Sequence, residues 1–227
     1  MSGMFFWYII PIVVLIRPPI SNMQIKEALK WGHEQLFLSS SSARLDAEIL
    51  LSHILKKPTT FLLAHDEQKL CSFLHFSRND KFKITFFPLW RYKRLIRKRK
   101  EGMPVAYLTG HKEFYFLDFE VNRNVLVPRP DTETMVECVI EYIKQRNDET
   151  MTRRNDIILL DIGTGSGCIP ISVCKNVDGL TAVATDISRK ALKVARKNIK
   201  KHNLINRIQL IHSDLLENVN TELLMDK

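Results

Sequence analysis

Residues 157–167, Ile157-Ile158-Leu159-Leu160-Asp161-Ile162-Gly163-Thr164-Gly165-Ser166-Gly167, constrain the fold more than any other stretch of the chain. Four apolar residues, two of them β-branched, predict a strand buried on both faces. Glycines follow at every second position, and an apolar, helix-compatible stretch begins near Cys168. Strand, glycine turn and helix together make a ligand-binding turn. The glycines let the backbone bend sharply and let a ligand approach main-chain N–H groups at a helix N-terminus. Spacing separates two ligand classes. A dinucleotide fingerprint places its third glycine five residues after the first, and Cys168 stands there. Gly-x-Gly-x-Gly with Asp161 two residues upstream points instead to a nucleoside cofactor.

A length of 227 residues allows one or two domains with a sizeable core. Lys plus Arg number 34 against 25 Asp plus Glu, so the chain is basic and suited to acidic partners. Cys71, Cys138, Cys168 and Cys174 form no CxxC pair. Cys138, Cys168 and Cys174 lie in apolar surroundings and read as reduced packing residues of a cytoplasmic protein. The histidines show no metal-binding spacing, and no metal site is expected.

Residues 4–16 are apolar but shorter than the roughly 20 needed to span a bilayer. Two readings stand for residues 1–22: an extension upstream of a true start at Met23, or a membrane-associating anchor. Stable membrane association is not expected. From Asn22, a potential cap, Ile25, Leu29 and Leu36 predict a helix. The Ser39–Ser42 loop supplies the next cap, and Leu45, Ile49, Leu50 and Ile54 mark a second helix. Thr59-Thr60 caps a shorter third one. Residues 71–90 carry aromatics without period, and Pro88 interrupts them. Between Arg91 and Lys100 seven cations crowd together; a helix end before Gly102 explains them better than a nucleic-acid contact.

Residues 105–127 read as a β-hairpin, with Phe119 and Val121 alternating against Glu120 and Asn122 and with Leu117-Asp118 as its connection. Asp131 can cap a helix with Glu133 in its first turn and with Met135, Val136, Val139, Ile140 and Ile143 buried. Residues 144–156 read as a polar loop. After the glycine turn, a helix with Pro170 in its first turn reaches about Asn176. A second strand, 181–185, ends at Asp186, where this class of fold places a carboxylate for ribose hydroxyls. Ser188 caps a helix with Ala191, Leu192, Ala195 and Ile199 inside. A third strand, 208–211, runs to Ser213-Asp214. Three strand–helix units in succession predict a parallel sheet with its ligand at the carboxyl ends.

Four stretches together carry a resemblance. They are Arg44-Leu45-Asp46-Ala47-Glu48-Ile49-Leu50-Leu51, Pro104-Val105-Ala106-Tyr107-Leu108-Thr109-Gly110 with Glu113-Phe114, Val127-Pro128-Arg129-Pro130-Asp131-Thr132-Glu133, and Asp161 to Gly167. In this order they resemble the HemK/PrmC-type release factor N5-glutamine methyltransferases. The resemblance implies an α/β fold with a Rossmann-like S-adenosylmethionine methyltransferase domain, preceded by a small helical domain and a β-hairpin linker. The expected divisions are 1–22, 23–103, 104–128 and 129–227. It implies methyl transfer from S-adenosylmethionine to the glutamine amide of the Gly-Gly-Gln motif in class 1 peptide chain release factors. Carried over, Gly163, Thr164, Gly165, Ser166 and Gly167 would line the methionine and ribose portion of the cofactor. Asp186 would hold the ribose, and Asp214 with Leu215 would meet the adenine.

The family's Asn-Pro-Pro-Tyr motif, whose asparagine side chain and proline carbonyl hold the substrate amide, does not occur in these residues. The expectation is therefore a domain carrying its first three strands, with strand 157–162 left as an apolar edge, and inactive as it stands. No catalytic residue is assigned. The other readings are a nucleic-acid adenine methyltransferase, and a non-catalytic remnant that binds cofactor or release factor. A monomer without direct nucleic-acid contact is expected.

Overall fold

The computed structural model describes residues 23–73, 88–150 and 157–219. They divide into two compact units, with the boundary between Arg97 and Lys98. The expectations for residues 1–22, including a cap at Asn22, lie outside the described residues, as do those for 74–87 and 151–156.

In the first unit, α1 (Ile25–Leu36) opens on a capping box between Gln24 and Glu27. The second helix, α2 (Ala43–Leu55), buries Ala43, Asp46, Ala47, Leu50, Leu51, Ile54 and Leu55. Leu45, expected inside, is 54% exposed. Ser42 holds the N-cap position of α2, but its hydroxyl donates to Asp46 Oδ1 at 3.1 Å while Ser40 donates to Oδ2 at 2.6 Å. The buried carboxylate thus takes the hydroxyls that a simple cap would have turned to the backbone. Pro58 caps α3 (Thr59–Ala64), so Thr59 and Thr60 fall inside the helix. Pro88 does not interrupt an element but opens α4 (Pro88–Lys100), where proline's missing N–H is harmless. Tyr92 and Ile96 anchor α4, and the Tyr92 hydroxyl donates to the Ala47 carbonyl at 3.3 Å. Tyr92 enters because position 32 is glycine: a Cβ there would lie 2.0 Å from its hydroxyl oxygen. Arg91, Lys93, Arg94 and Arg97 are exposed, and the helix ends before Gly102, at φ +88°.

In the second unit, which starts at Lys98, residues 105–127 open with a short helix, α5 (Val105–Thr109), where only a hairpin was expected. Strands β1 (His111–Phe114) and β2 (Leu117–Glu120) then pair antiparallel. The connection is Tyr115-Phe116, and Leu117-Asp118 belongs to β2. Both turn residues have positive φ, the geometry of a two-residue hairpin turn, achieved here without glycine. The next helix, α6 (Asp131–Thr150), continues through 144–150, which read as loop. Its buried side presents Val136, Ile140 and Ile143, whereas Met135 is 55% exposed and Cys138 is exposed. Apolar neighbours in sequence did not make Cys138 a core residue, because it falls on the outer side of α6.

The sheet follows: β3 (Ile158–Ile162), β4 (Thr181–Asp186) and β5 (Ile208–His212), parallel and in the order β3-β4-β5. Helix α7 (Cys168–Asn176) joins β3 to β4, and α8 (Arg189–Lys201) joins β4 to β5. Ser188 caps α8 by accepting from Ala191 N at 3.2 Å, and Ala191, Leu192, Val194, Ala195 and Ile199 are buried. Strand β3 is not buried on both faces. It lies at the sheet edge among the described residues, Ile158 to Asp161 are half-buried and Ile162 is 45% exposed. The core under the sheet joins Ile171, Val173, Leu180, Ala182, Ala184, Val194 and Ile208 to Phe114 and Phe119 of the hairpin.

Candidate cofactor site

The site is built where β3 runs into α7 beside the end of β4. The chain leaves β3 through Gly163, at φ +77°, and enters α7 through Gly167, at φ +80°, which is the N-cap of that helix. Side chains are strained at such φ values, which is why the turn needs glycine there. The two glycines differ in what surrounds them. A Cβ on Gly163 would meet nothing within 4 Å, whereas one on Gly167 would lie 3.2 Å from Ile171 Cδ1 and 3.5 Å from Ala195 Cβ. Gly163 borders open space, whereas Gly167 packs against Ile171 of its own helix and Ala195 of α8.

The turn is hung on β4. The Thr185 carbonyl accepts from both Gly163 N and Thr164 N at 2.9 Å. Asp186 braces the next residues: its Oδ2 accepts from Gly165 N at 2.9 Å and its Oδ1 from Ser188 N at 2.8 Å. The expected ribose carboxylate thus joins the glycine turn to the start of α8, and each oxygen keeps lone-pair capacity for another donor. Asp214 and Leu215 follow β5 at the same end of the sheet, where Ser213 N donates to the Asp186 carbonyl at 3.2 Å. Both are exposed, and Leu215 has φ +47°.

Asp161 Oδ2, Thr164 Oγ1 and Thr185 Oγ1 are buried and meet no partner at hydrogen-bond geometry, although the Thr164 hydroxyl lies near enough to Asp161 to favour its charged form. Burial pushes the Asp161 carboxyl above its ordinary range, outweighing the neighbouring Thr164 hydroxyl, and the Asp186 charge adds to the rise. Buried polar atoms are nearly always paired, so the open hydrogen-bonding capacity of these three around the glycine turn suits a polar ligand. The residues fit a nucleoside cofactor: an open space over Gly163, a carboxylate at the end of β4, and a buried acid at the base of the turn.

One residue of the site was missed in the sequence. Asn198 on α8 is fully buried, and its Nδ2 donates to the Ser166 carbonyl at 2.9 Å. The signal was available. Asn198 adjoins Ile199 on the apolar stripe of α8, and a polar side chain in a buried stripe demands partners.

The parallel strand–helix units, the Gly-x-Gly-x-Gly turn and the acid ending the second strand define an S-adenosylmethionine-dependent methyltransferase domain. Residues 146–226 match the Methyltransferase domain family, and residues 27–73 match the PrmC N-terminal domain. A release factor glutamine methyltransferase from Rhodopirellula baltica is 36% identical over 82% of this chain and 57% of its own length. One from Clostridium acetobutylicum is 35% identical over 86% of this chain and 61% of its own. A bifunctional methyltransferase from Rickettsia typhi is 36% identical over 87% of this chain and 38% of its own. The chain is a homologue of the release factor glutamine methyltransferases, with a PrmC N-terminal domain ahead of a methyltransferase domain, and it spans between about two fifths and three fifths of the length of these relatives.

Proposed function

We propose that the protein methylates the side-chain amide nitrogen of the glutamine in the Gly-Gly-Gln motif of class 1 peptide chain release factors, acting in the cytoplasm as a monomer. The observation that carries this reading is the pairing of a PrmC N-terminal domain with a methyltransferase domain in one chain, together with relatives of that name at 35–36% identity over more than four fifths of it. No helix among the described residues is long and apolar enough to cross a membrane.

In this reading Gly163, Thr164, Gly165, Ser166 and Gly167 line the methionine and ribose portion of the cofactor, and Asp161 helps to position it. Asp186 accepts from the ribose hydroxyls, and Asp214 and Leu215 meet the adenine. When bound, S-adenosylmethionine supplies an electrophilic methyl group on a sulfonium centre. The protein's part is positioning. An amide nitrogen is a poor nucleophile because its lone pair is delocalised, and orienting it can contribute about 7–11 kcal/mol. The test is incorporation of labelled methyl from S-adenosylmethionine into a class 1 release factor, with a glutamine-substituted release factor as control. Incorporation that depends on that glutamine is expected where these residues stand beside an Asn-Pro-Pro-Tyr motif, which residues 1–227 do not contain. Equal labelling of the control, or labelling of nucleic acid instead, would overturn the proposal.

A further inference from the structure

Asn198 does more than hold the glycine turn. Its Oδ1 accepts from Glu120 N at 2.8 Å, and its Nδ2 donates to the Glu120 carbonyl at 3.0 Å as well as to the Ser166 carbonyl at 2.9 Å. The amide therefore pairs with both main-chain groups of the last residue of β2, as a neighbouring strand would. Three of its four hydrogen-bonding positions are used, inside a site with no exposure to solvent. Asparagine is a poor residue for a helix interior, so its presence in the buried stripe of α8 answers to these three bonds. The same helix also holds the hairpin at its rim, where Lys201 Nζ bonds Asp118 Oδ2 and His202 Nε2 meets the Asp118 carbonyl at 3.1 Å. Those outer contacts touch the hairpin alone. Asn198 touches the hairpin and the turn.

We infer that Asn198 is a positioning residue that couples the hairpin 111–120 to the cofactor turn through the Glu120 main chain and the Ser166 carbonyl. Filling the turn then steadies the hairpin, and a loosened amide weakens cofactor binding by the same coupling. This rests on the cofactor reading of the turn and goes beyond it, since the hairpin has no assigned part in holding cofactor.

The experiment is hydrogen–deuterium exchange of the whole chain with and without S-adenosylhomocysteine, beside calorimetric affinity. In the wild type the ligand is expected to slow exchange in the hairpin as well as in residues 163–167. Asn198→Ala should weaken binding by about tenfold or more and abolish ligand-induced protection of the hairpin. Lys201→Ala should speed hairpin exchange in the free protein while leaving affinity and ligand-induced protection in place, which separates coupling from plain loosening. Asn198→Ser, which leaves a smaller void, replaces the alanine variant if that fails to fold, and the wild-type comparison stands by itself. Protection confined to 163–167 in the wild type, or hairpin protection retained in Asn198→Ala, would overturn the coupling and leave the cofactor reading intact. Absence of binding to the wild type would overturn both.

Discussion

The backbone N–H of Tyr115 donates to Oε1 of Glu133 at 3.0 Å, tying the tip of the β1–β2 hairpin to the first turn of α6. Tyr115 and Phe116 both have positive φ, 47° and 59°, and neither is glycine. Bulky residues are rare in that conformation and persist where their surroundings hold them. Glu133 supplies part of that hold, and its charge also suits the N-terminus of α6. Phe116, by contrast, is 91% exposed and has little packing to offset its strain.

Glu133→Ala is therefore expected to lower stability by roughly 1–2 kcal/mol, from a lost charge-assisted bond and a lost helix-dipole interaction. Phe116→Gly is expected to raise it by about 0.5–1 kcal/mol, because glycine adopts the turn without strain. Urea unfolding midpoints decide both. A destabilised Phe116→Gly would show that the exposed ring contributes more than its backbone conformation costs.

The same hairpin marks where sequence reasoning reached and where it stopped. Alternation around Phe119 gave the strand, and both Phe114 and Phe119 are buried. The turn was misplaced by two residues because its usual signal, glycine or asparagine, is missing at Tyr115-Phe116. The parallel sheet was legible because each of its parts is local: a β-branched run, a glycine turn, an acid at a strand end and Ser188 as a cap. The burial of the Asp161 carboxylate and the Asn198 bridge were not. The Asn198 bonds join residues 78 and 32 positions apart, and no local pattern encodes such a distance. Met135 and Cys138 failed for a related reason: which apolar residues of α6 face inward depends on where the helix is docked, and periodicity leaves that open to about one position.

The Asp161 carboxyl carries a pH prediction. Its folded value is raised by burial, so the folded state keeps this proton to higher pH than the unfolded chain does. Its contribution to stability then falls as pH rises from the unfolded value, about 3.9, through the raised folded value, and stays low at neutral pH. Asp161→Asn should be more stable than the wild type at pH 7, with the difference shrinking as pH drops towards about 4. The same variant should bind S-adenosylmethionine more weakly if Asp161 helps to position it. Thermal melts from pH 4 to 8 beside calorimetry test the pair of effects; a constant stability difference across that range would refute the titration.

Asp186→Ala removes the acceptor of Gly165 N and Ser188 N as well as the proposed ribose carboxylate. S-adenosylhomocysteine affinity should fall by the equivalent of about 1.5–3 kcal/mol, roughly ten- to a hundredfold. Asp186→Asn keeps one acceptor oxygen and should lose less. Calorimetry showing unchanged affinity for the alanine variant, or tighter binding of NAD than of S-adenosylhomocysteine, would remove Asp186 from the site.

Gly163 and Gly167 offer the sharpest test of where the cofactor lies, because they share a backbone conformation and differ in surroundings. An alanine at either position is strained by roughly 1–2 kcal/mol through its positive φ. At Gly167 the new Cβ also crowds Ile171 Cδ1 at 3.2 Å, so that buried side chain must shift by a few tenths of an ångström, while Ala195 Cβ at 3.5 Å stays in ordinary contact. At Gly163 it meets no atom within 4 Å beyond its immediate chain neighbours. Gly167→Ala should therefore show the larger loss of stability in urea unfolding. Gly163→Ala should remain the better folded of the two and yet lose most of its affinity for S-adenosylhomocysteine, because the methyl group stands where the ligand is expected. Near-wild-type affinity in a folded Gly163→Ala would place the ligand elsewhere on the turn.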